Sequence, residues 1–236
     1  MHHSQHPLRP HYNALWEEHW PNIRRGAVAT DPLLAHKASD GRRGLTVIVR
    51  PAPAVAANIE KMLRTLAALE PGQYYYPQSD LHLTVLSLFT ATEDFAPRLA
   101  HLGEYRDAAA ALASTPAFTL DMVGITLAAG AVLAQGFPHG PALGTLREGL
   151  RAELRSRGLG AGLDQRYRLV AAHSTLVRFA APLSAPERFA QALAEFRNTP
   201  FGRTEVATLE LVFNDWYMSR DTLQTIETFQ LLPMAK

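Results

Sequence analysis

His82-Leu83-Thr84-Val85-Leu86-Ser87-Leu88-Phe89 reads as a β-strand that opens on a polar pair and runs into apolar sequence. The same order returns at His173-Ser174-Thr175-Leu176-Val177-Arg178-Phe179 in the other half of the chain. A strand turns alternate side chains to one face, so residues two apart share it. Each stretch therefore aims an imidazole and a hydroxyl in one direction. By that alternation the first face continues as Leu86 and Leu88, and the second as Val177 and Phe179. Arg178 falls on the opposite side unless a bulge intervenes. Two such pairs facing each other would set two proton-transfer groups and two hydroxyl donors around one small anion. That is equipment for chemistry at a phosphodiester.

A single His-x-Thr carries little weight. Ten His and seventeen Thr in 236 residues give roughly 0.7 matches by chance placement. The distribution is more telling. Six of the ten His lie at or before position 36. Of the four beyond it, His82, His101, His139 and His173, two open the motif, and both do so at the start of a strand.

The flanking sequence supplies the frame. Leu45–Arg50 is a β-branched apolar run closed by Pro51, hence a strand. Ala54–Leu69 carries Val55, Ile59, Met62, Leu63, Leu66 and Leu69 at helical spacing, and Pro71-Gly72 ends it. Phe95–Ala113 reads as one helix with His101 inside it. Phe118–Leu127 and Ala131–Gln135 are strands joined at Ala128-Ala129-Gly130. Pro141–Arg157 is a helix with proline in its first turn and Gly158 after its end. Its Arg147, Arg151 and Arg155, in steps of four, read as a solvated face. Tyr167–Phe179 holds the second motif strand and Ala185–Phe196 is a helix. Glu205–Phe213 and Leu223–Leu231 are strands joined by a turn near Ser219–Asp221. The order is β-α-β-α-β-β-α-β-α-β-β, a weak two-fold repeat with one motif strand in each half.

Residues 1–43 mix His, Pro, Trp and charge and read as an N-terminal extension. Tyr12–Trp20 is a candidate short amphipathic helix docked on the body, and the rest reads as a loose polar end. His2, His3, His6 and His11 suggest no more than adventitious metal binding. Residues 44–236 form the main domain, long enough for one large unit or two closely packed lobes. A chain of this size buries roughly 70–75% of its unfolded surface, so core is not scarce.

Composition narrows the class. The net charge of +1, from 23 basic and 22 acidic residues, argues against coating long nucleic acid by charge alone. With no cysteine, disulfides and thiolate metal sites are excluded. The longest largely apolar stretch, Ile125–Ala134, is too short to span a bilayer. The amino terminus lacks the apolar segment of a secretory signal. The chain reads as cytoplasmic, with no membrane association and no obligate protein partner.

Paired His-x-Thr-apolar strings about ninety residues apart, each on a strand of an α+β chain, resemble the two-histidine (2H) phosphoesterase superfamily. That group includes cyclic phosphodiesterases and the proteins called 2′-5′ RNA ligases. The resemblance covers roughly residues 44–232 and implies a bilobal α+β fold. Its two pseudo-symmetric lobes would each hold an antiparallel-rich sheet flanked by helices, with one cleft between them. It implies His82 and His173 as the catalytic pair and Thr84 and Thr175 as phosphate-binding hydroxyls. It calls for no metal and no cofactor. The implied partner is a nucleotide or RNA terminus bearing a 2′,3′-cyclic phosphate or 2′-5′ linkage. The alternatives are an RNA ligase, or a module that binds such an end without hydrolysing it.

Further substrate contacts are weaker readings. Of Tyr74, Tyr75 and Tyr76, one, taken as Tyr76, either stacks on a nucleobase or packs on the domain edge. Phe137 has the same two readings. Arg178 either pairs with phosphate or ends a network under the sheet. Asp80, two residues before His82, reads as a solvated loop acid rather than a partner for the imidazole. His101 reads as a surface or packing residue and His139 as a loop residue.

Overall fold

The computed structural model describes residues 5–164 and 168–234. In chain order the regular elements are α1 (Arg9–Arg24), β1 (Arg43–Val49), α2 (Pro53–Leu69), β2 (Tyr74–Tyr75), β3 (Leu83–Thr92), α3 (Ala96–Leu99), α4 (Leu102–Ala110), β4 (Phe118–Ala128), β5 (Ala131–Pro138), α5 (Ala142–Ser156), β6 (Ala172–Arg178), α6 (Pro186–Glu195), β7 (Pro200–Val206), β8 (Thr208–Asp215) and β9 (Gln224–Gln230). Among the described residues no helix is long and apolar enough to cross a membrane.

The fold is α+β with two antiparallel sheets, ordered β3-β1-β8-β9 and β2-β6-β5-β4-β7. Each is built on a strand–helix–strand unit that ends in a motif strand: β1-α2-β3 in one and β5-α5-β6 in the other. One continuous apolar core joins both sheets to α2, α4, α5 and α6. The stripe of α2 is buried as its spacing requires, with Ile59 and Leu66 fully enclosed.

The two sheets exchange chain in a way the periodicity does not disclose. Glu205–Phe213, expected as one strand, is two. Up to Val206 the chain pairs with β4, as Val206 with Phe118; from Thr208 it pairs with β9, as Thr208 with Gln230. An apolar pattern can continue across such a transfer because both faces it visits are buried. Tyr74–Tyr75, not expected as a strand, extends the second sheet beside β6.

Two other expectations change. The helix expected over Phe95–Ala113 is α3, then α4, then a 3-10 turn at Ala111–Ser114. His101 stands at the break before α4, half-exposed and paired with Glu104 at 2.8 Å. The amino-terminal region is not a loose polar end from Arg9 onward. Pro10 occupies the first turn of α1, where its missing N–H is no loss. Tyr12 and Ile23 of that helix are almost wholly buried. The tyrosine at the first expected position of the second motif strand, Tyr167, lies outside the described residues.

Glu70, just past the end of α2, ties the two halves of the chain together. Its buried carboxylate accepts from the backbone N–H groups of Ser184 and Ala185 and from the Ser184 hydroxyl, at 2.6–3.0 Å. These donors lie at the start of α6, where backbone N–H groups lack helical partners. Glu70→Ala should therefore cost about 2–4 kcal/mol in urea unfolding. A loss under about 0.5 kcal/mol would show the carboxylate to be dispensable.

Candidate functional site

The two motif strands adjoin although they belong to different sheets. Neither alternates regularly. Along β3 the pairing steps from Ile48–Thr84 to Val47–Leu86, leaving Val85 extra. Along β6 it steps from Leu133–Thr175 to Val132–Val177, leaving Leu176 extra. An extra residue of this kind is a β-bulge, which bends the strand and re-aims the side chains beyond it. The faces therefore do not run on into core as plain alternation requires: Leu88, Val177 and Phe179 are buried away from the cleft, and Leu86, though buried, lies in its wall. The polar faces continue as His82, Thr84, Ser87 and His173, Thr175, Arg178. All six line one cleft of about 200 Å³. The bulge brings Arg178 to the histidine's side, and Ser87 takes the matching place on the other strand.

Burial governs both imidazoles. His82 donates from Nδ1 to the carbonyl of Asp80 at 2.7 Å, which leaves Nε2 as the free ring nitrogen. It is the carbonyl of Asp80, not its carboxylate, that orients the ring. That carboxylate is buried rather than solvated, accepting from Ser79 Oγ and the Arg220 backbone N–H. Desolvation pushes His82 down to about 4; the Arg50 and Arg178 charges act in the same direction, while the Asp80 carbonyl and Asp215 oppose them. His173 is likewise pushed down to about 4 by burial first, then by Arg147, His82 and His11. The two rings are within electrostatic reach of each other. Both are neutral at pH 7.

The basic face expected on α5 is a correction. Arg147 and Arg151 are only 3% and 1% exposed, and Arg155 alone of the three is solvated. Arg147 donates from Nε to Val85 O, from Nη2 to Thr84 O and Ala171 O, and from Nη1 to Val170 O. One guanidinium thus holds the backbone of the first motif strand and that of the approach to the second. Arg151 forms a bidentate pair with Asp164 at 2.8–2.9 Å. The sequence carried one signal for this: both arginines flank the Leu143-Leu146-Leu150-Leu154 stripe, where long polar side chains can be drawn inward.

The aromatic readings divide. Tyr76 is buried in the cleft wall, and its hydroxyl accepts from Arg178 Nε at 2.9 Å. Phe137 does not reach the cleft. It is fully buried, boxed by Tyr12, His6 and the Arg9 guanidinium. The aromatic ring that lines the cleft and that sequence reasoning missed is Trp216, half-buried after β8, with the Arg42 guanidinium 4.2 Å from its ring centre. Asp215 shapes the turn that presents it, accepting from the Tyr217 and Ser219 N–H groups and from Thr222 Oγ1. His139 is a loop residue as expected, in the bend after β5, and it bonds Asp121 at 2.7 Å, away from the cleft.

No protein-family model and no curated protein sequence matches the chain. Solved structures do. TT0787 of Thermus thermophilus superposes with a TM-score of 0.60 at 20% identity, over 80% of this chain and 98% of its own. E. coli LigT complexed with 3′-AMP gives 0.52 at 16% identity, over 82% and 99%. A structure described as a phosphoesterase gives 0.51 at 17% identity, over 80% and 99%. The chain shares the fold of these proteins.

The depressed histidines make acid stability a direct readout. In the unfolded chain they titrate near 6.5, in the folded one near 4. As the pH falls, the unfolded state takes up protons first. Their contribution is complete above pH 6.5 and is lost as the pH falls from 6.5 through 4. Replacing both with Asn should flatten the stability–pH curve in that window, measured by urea unfolding at a series of pH values. An unchanged slope would show that the two rings are not desolvated.

Proposed function

We propose that this chain is a phosphodiesterase of the two-histidine type. It opens a 2′,3′-cyclic phosphate or a 2′-5′ phosphodiester of a nucleotide or RNA end. The observation that carries this reading is the convergence of His82, Thr84, His173 and Thr175 on one cleft from two separate sheets. The fold shared with LigT, crystallised with 3′-AMP and also with NADP+, supports a nucleotide as ligand.

In hydrolysis, one neutral imidazole takes a proton from water as its oxygen attacks phosphorus. The bond to the leaving ribose oxygen breaks, and the other histidine, protonated, gives that oxygen its proton. The roles exchange in the reverse, ligation-like direction, so the direction in which the substrate lies assigns acid and base. Negative charge on the nonbridging oxygens is met by the Thr84 and Thr175 hydroxyls, oriented in advance on their strands. Arg178 adds a guanidinium whose Nε is fixed on Tyr76, leaving its terminal N–H groups for the anion. Acid, base and anion donors are then all supplied by side chains, and no metal is needed for the step.

The cleft must gain a proton to work. Both imidazoles are neutral at pH 7, and a bound phosphodiester favours the charged form of either ring. Substrate binding therefore raises the pKa of one histidine toward pH 7, so that its ring takes up a proton. The same neutrality favours a second reading, in which the cleft binds a nucleotide or RNA end without turnover.

Turnover of 2′,3′-cyclic nucleotides and 2′-5′ dinucleotides with EDTA present decides between them. His82→Ala and His173→Ala should each lower kcat by about 10²–10⁴-fold while circular dichroism stays unchanged. The alkaline limb of kcat should lie at higher pH than that of kcat/KM, since the first reports the bound enzyme and the second the free one. Tight binding of 3′-AMP with no cleavage of any substrate would favour the binding module. Loss of turnover on chelation would sink the two-histidine mechanism.

A further inference from the structure

The helix α1 docks on the second sheet at the place where His173 is held. In the β5–β6 register Gln135 stands opposite His173, so their side chains share a face. Gln135 accepts from Arg9 of α1 at 2.9 Å. On the next turn of that helix Tyr12, with no exposed surface, reaches the backbone just before His173. Its hydroxyl accepts from the Ala172 N–H at 3.0 Å and directs its proton between the carbonyls of Ala172 and Gly136, at 2.6 and 3.0 Å. Ala172 and Gly136 are paired strand residues, and a Cβ on Gly136 would come within 2.6 Å of the Ala172 oxygen. The phenol thus closes the end of this ladder. Thr126 Oγ1 donates to the Tyr12 carbonyl at 2.8 Å and fixes the helix in turn.

We propose that Tyr12 is a positioning residue for His173: its phenol locks the backbone of Ala172 and thereby sets the direction of the next residue's imidazole. The arrangement suits the role. Burial holds the phenol protonated, far above its ordinary range, so it remains a donor. The His173 ring has no hydrogen-bond partner among the described residues, unlike His82 on the Asp80 carbonyl. Its direction must then come from its backbone and its packing. The Ala171 carbonyl, one residue earlier, is already held by Arg147. Tyr12 fixes the last peptide before the histidine. The charged and titratable groups acting on the ring are Arg147 from α5, His82 across the cleft and His11 from α1.

The catalytic consequence rests on the phosphodiesterase reading; the placement of the ring does not. The full-length protein, wild type and Tyr12→Phe, is labelled with ¹⁵N and its histidine rings are titrated by NMR. In a folded Tyr12→Phe variant the His173 signals should shift, and its midpoint should rise by about half a unit or more as the ring gains solvent, with His82 unmoved. Trp20→Phe, which cuts the bond from the other end of α1 to the Ala190 carbonyl, should leave His173 as in the wild type. With a 2′,3′-cyclic nucleotide, Tyr12→Phe should lower kcat about tenfold and keep KM within about twofold. If Tyr12→Phe does not fold, Thr126→Val slackens the same anchorage and is read by the same contrast. Unmoved His173 signals, an equal disturbance of both histidines, or the same disturbance from Trp20→Phe would overturn the proposal. A wild-type protein that cleaves no phosphodiester would strike the proposed function alone, and the NMR contrast would still decide the role of Tyr12.

Discussion

The buried guanidinium of Arg147 is the constraint around which the cleft is organised. β3 and β6 lie in different sheets, so no ladder hydrogen bonds fix one against the other. On the proposed function, two histidines acting on one small group need that offset set closely. Arg147 sets it by donating to Thr84 and Val85 on one side and to Val170 and Ala171 on the other. Removing a cation from water is costly, and its hydrogen bonds to four backbone carbonyls offset that cost. Carbonyl partners are directional and belong to the backbone, so the bond network holds the strands themselves and not only side chains. The apolar core beneath supplies the cohesion, and the arginine supplies the alignment.

The same charge also acts on the two imidazoles. Arg147 and Arg178 each help to hold one histidine in its neutral form. A cleft with depressed imidazoles and nearby guanidinium groups is poised for an anion. When one arrives, it cancels part of the field that kept the rings neutral, and the desolvated surroundings strengthen each donor's hold on it. On the proposed function, binding and activation are then one event. This coupling comes from burial, which a more open site would lack.

The site owes its composition to two local irregularities. Without the bulges at Val85 and Leu176, strict alternation would place apolar residues beyond each threonine and turn Arg178 away from His173. With them, both strands present His, Thr and a third polar residue in the same order. Strand exchange then completes the cavity: β8 ends in Asn214 and Asp215, and the turn held by Asp215 brings in Trp216. The amino-terminal helix closes the end of the ladder next to His173.

The paired His-x-Thr strings, the strand character of their surroundings and the apolar stripe of α2 were legible in the chain because they depend on spacing along a single element. So was the α+β alternation of elements. Local spacing could not reveal that Val85 and Leu176 are extra, since a bulge exists only relative to the partner strand. Nor could it show that the chain changes sheets at Ala207, that Phe137 lies sealed under Tyr12, or that Arg147 turns inward. Trp216 reaches the cleft only through a turn closed by Asp215. Read alone, the chain specifies which groups are available and which neighbours share a face. Which faces meet and which charges are buried is settled only in three dimensions, because register and burial are set by residues far away in the chain.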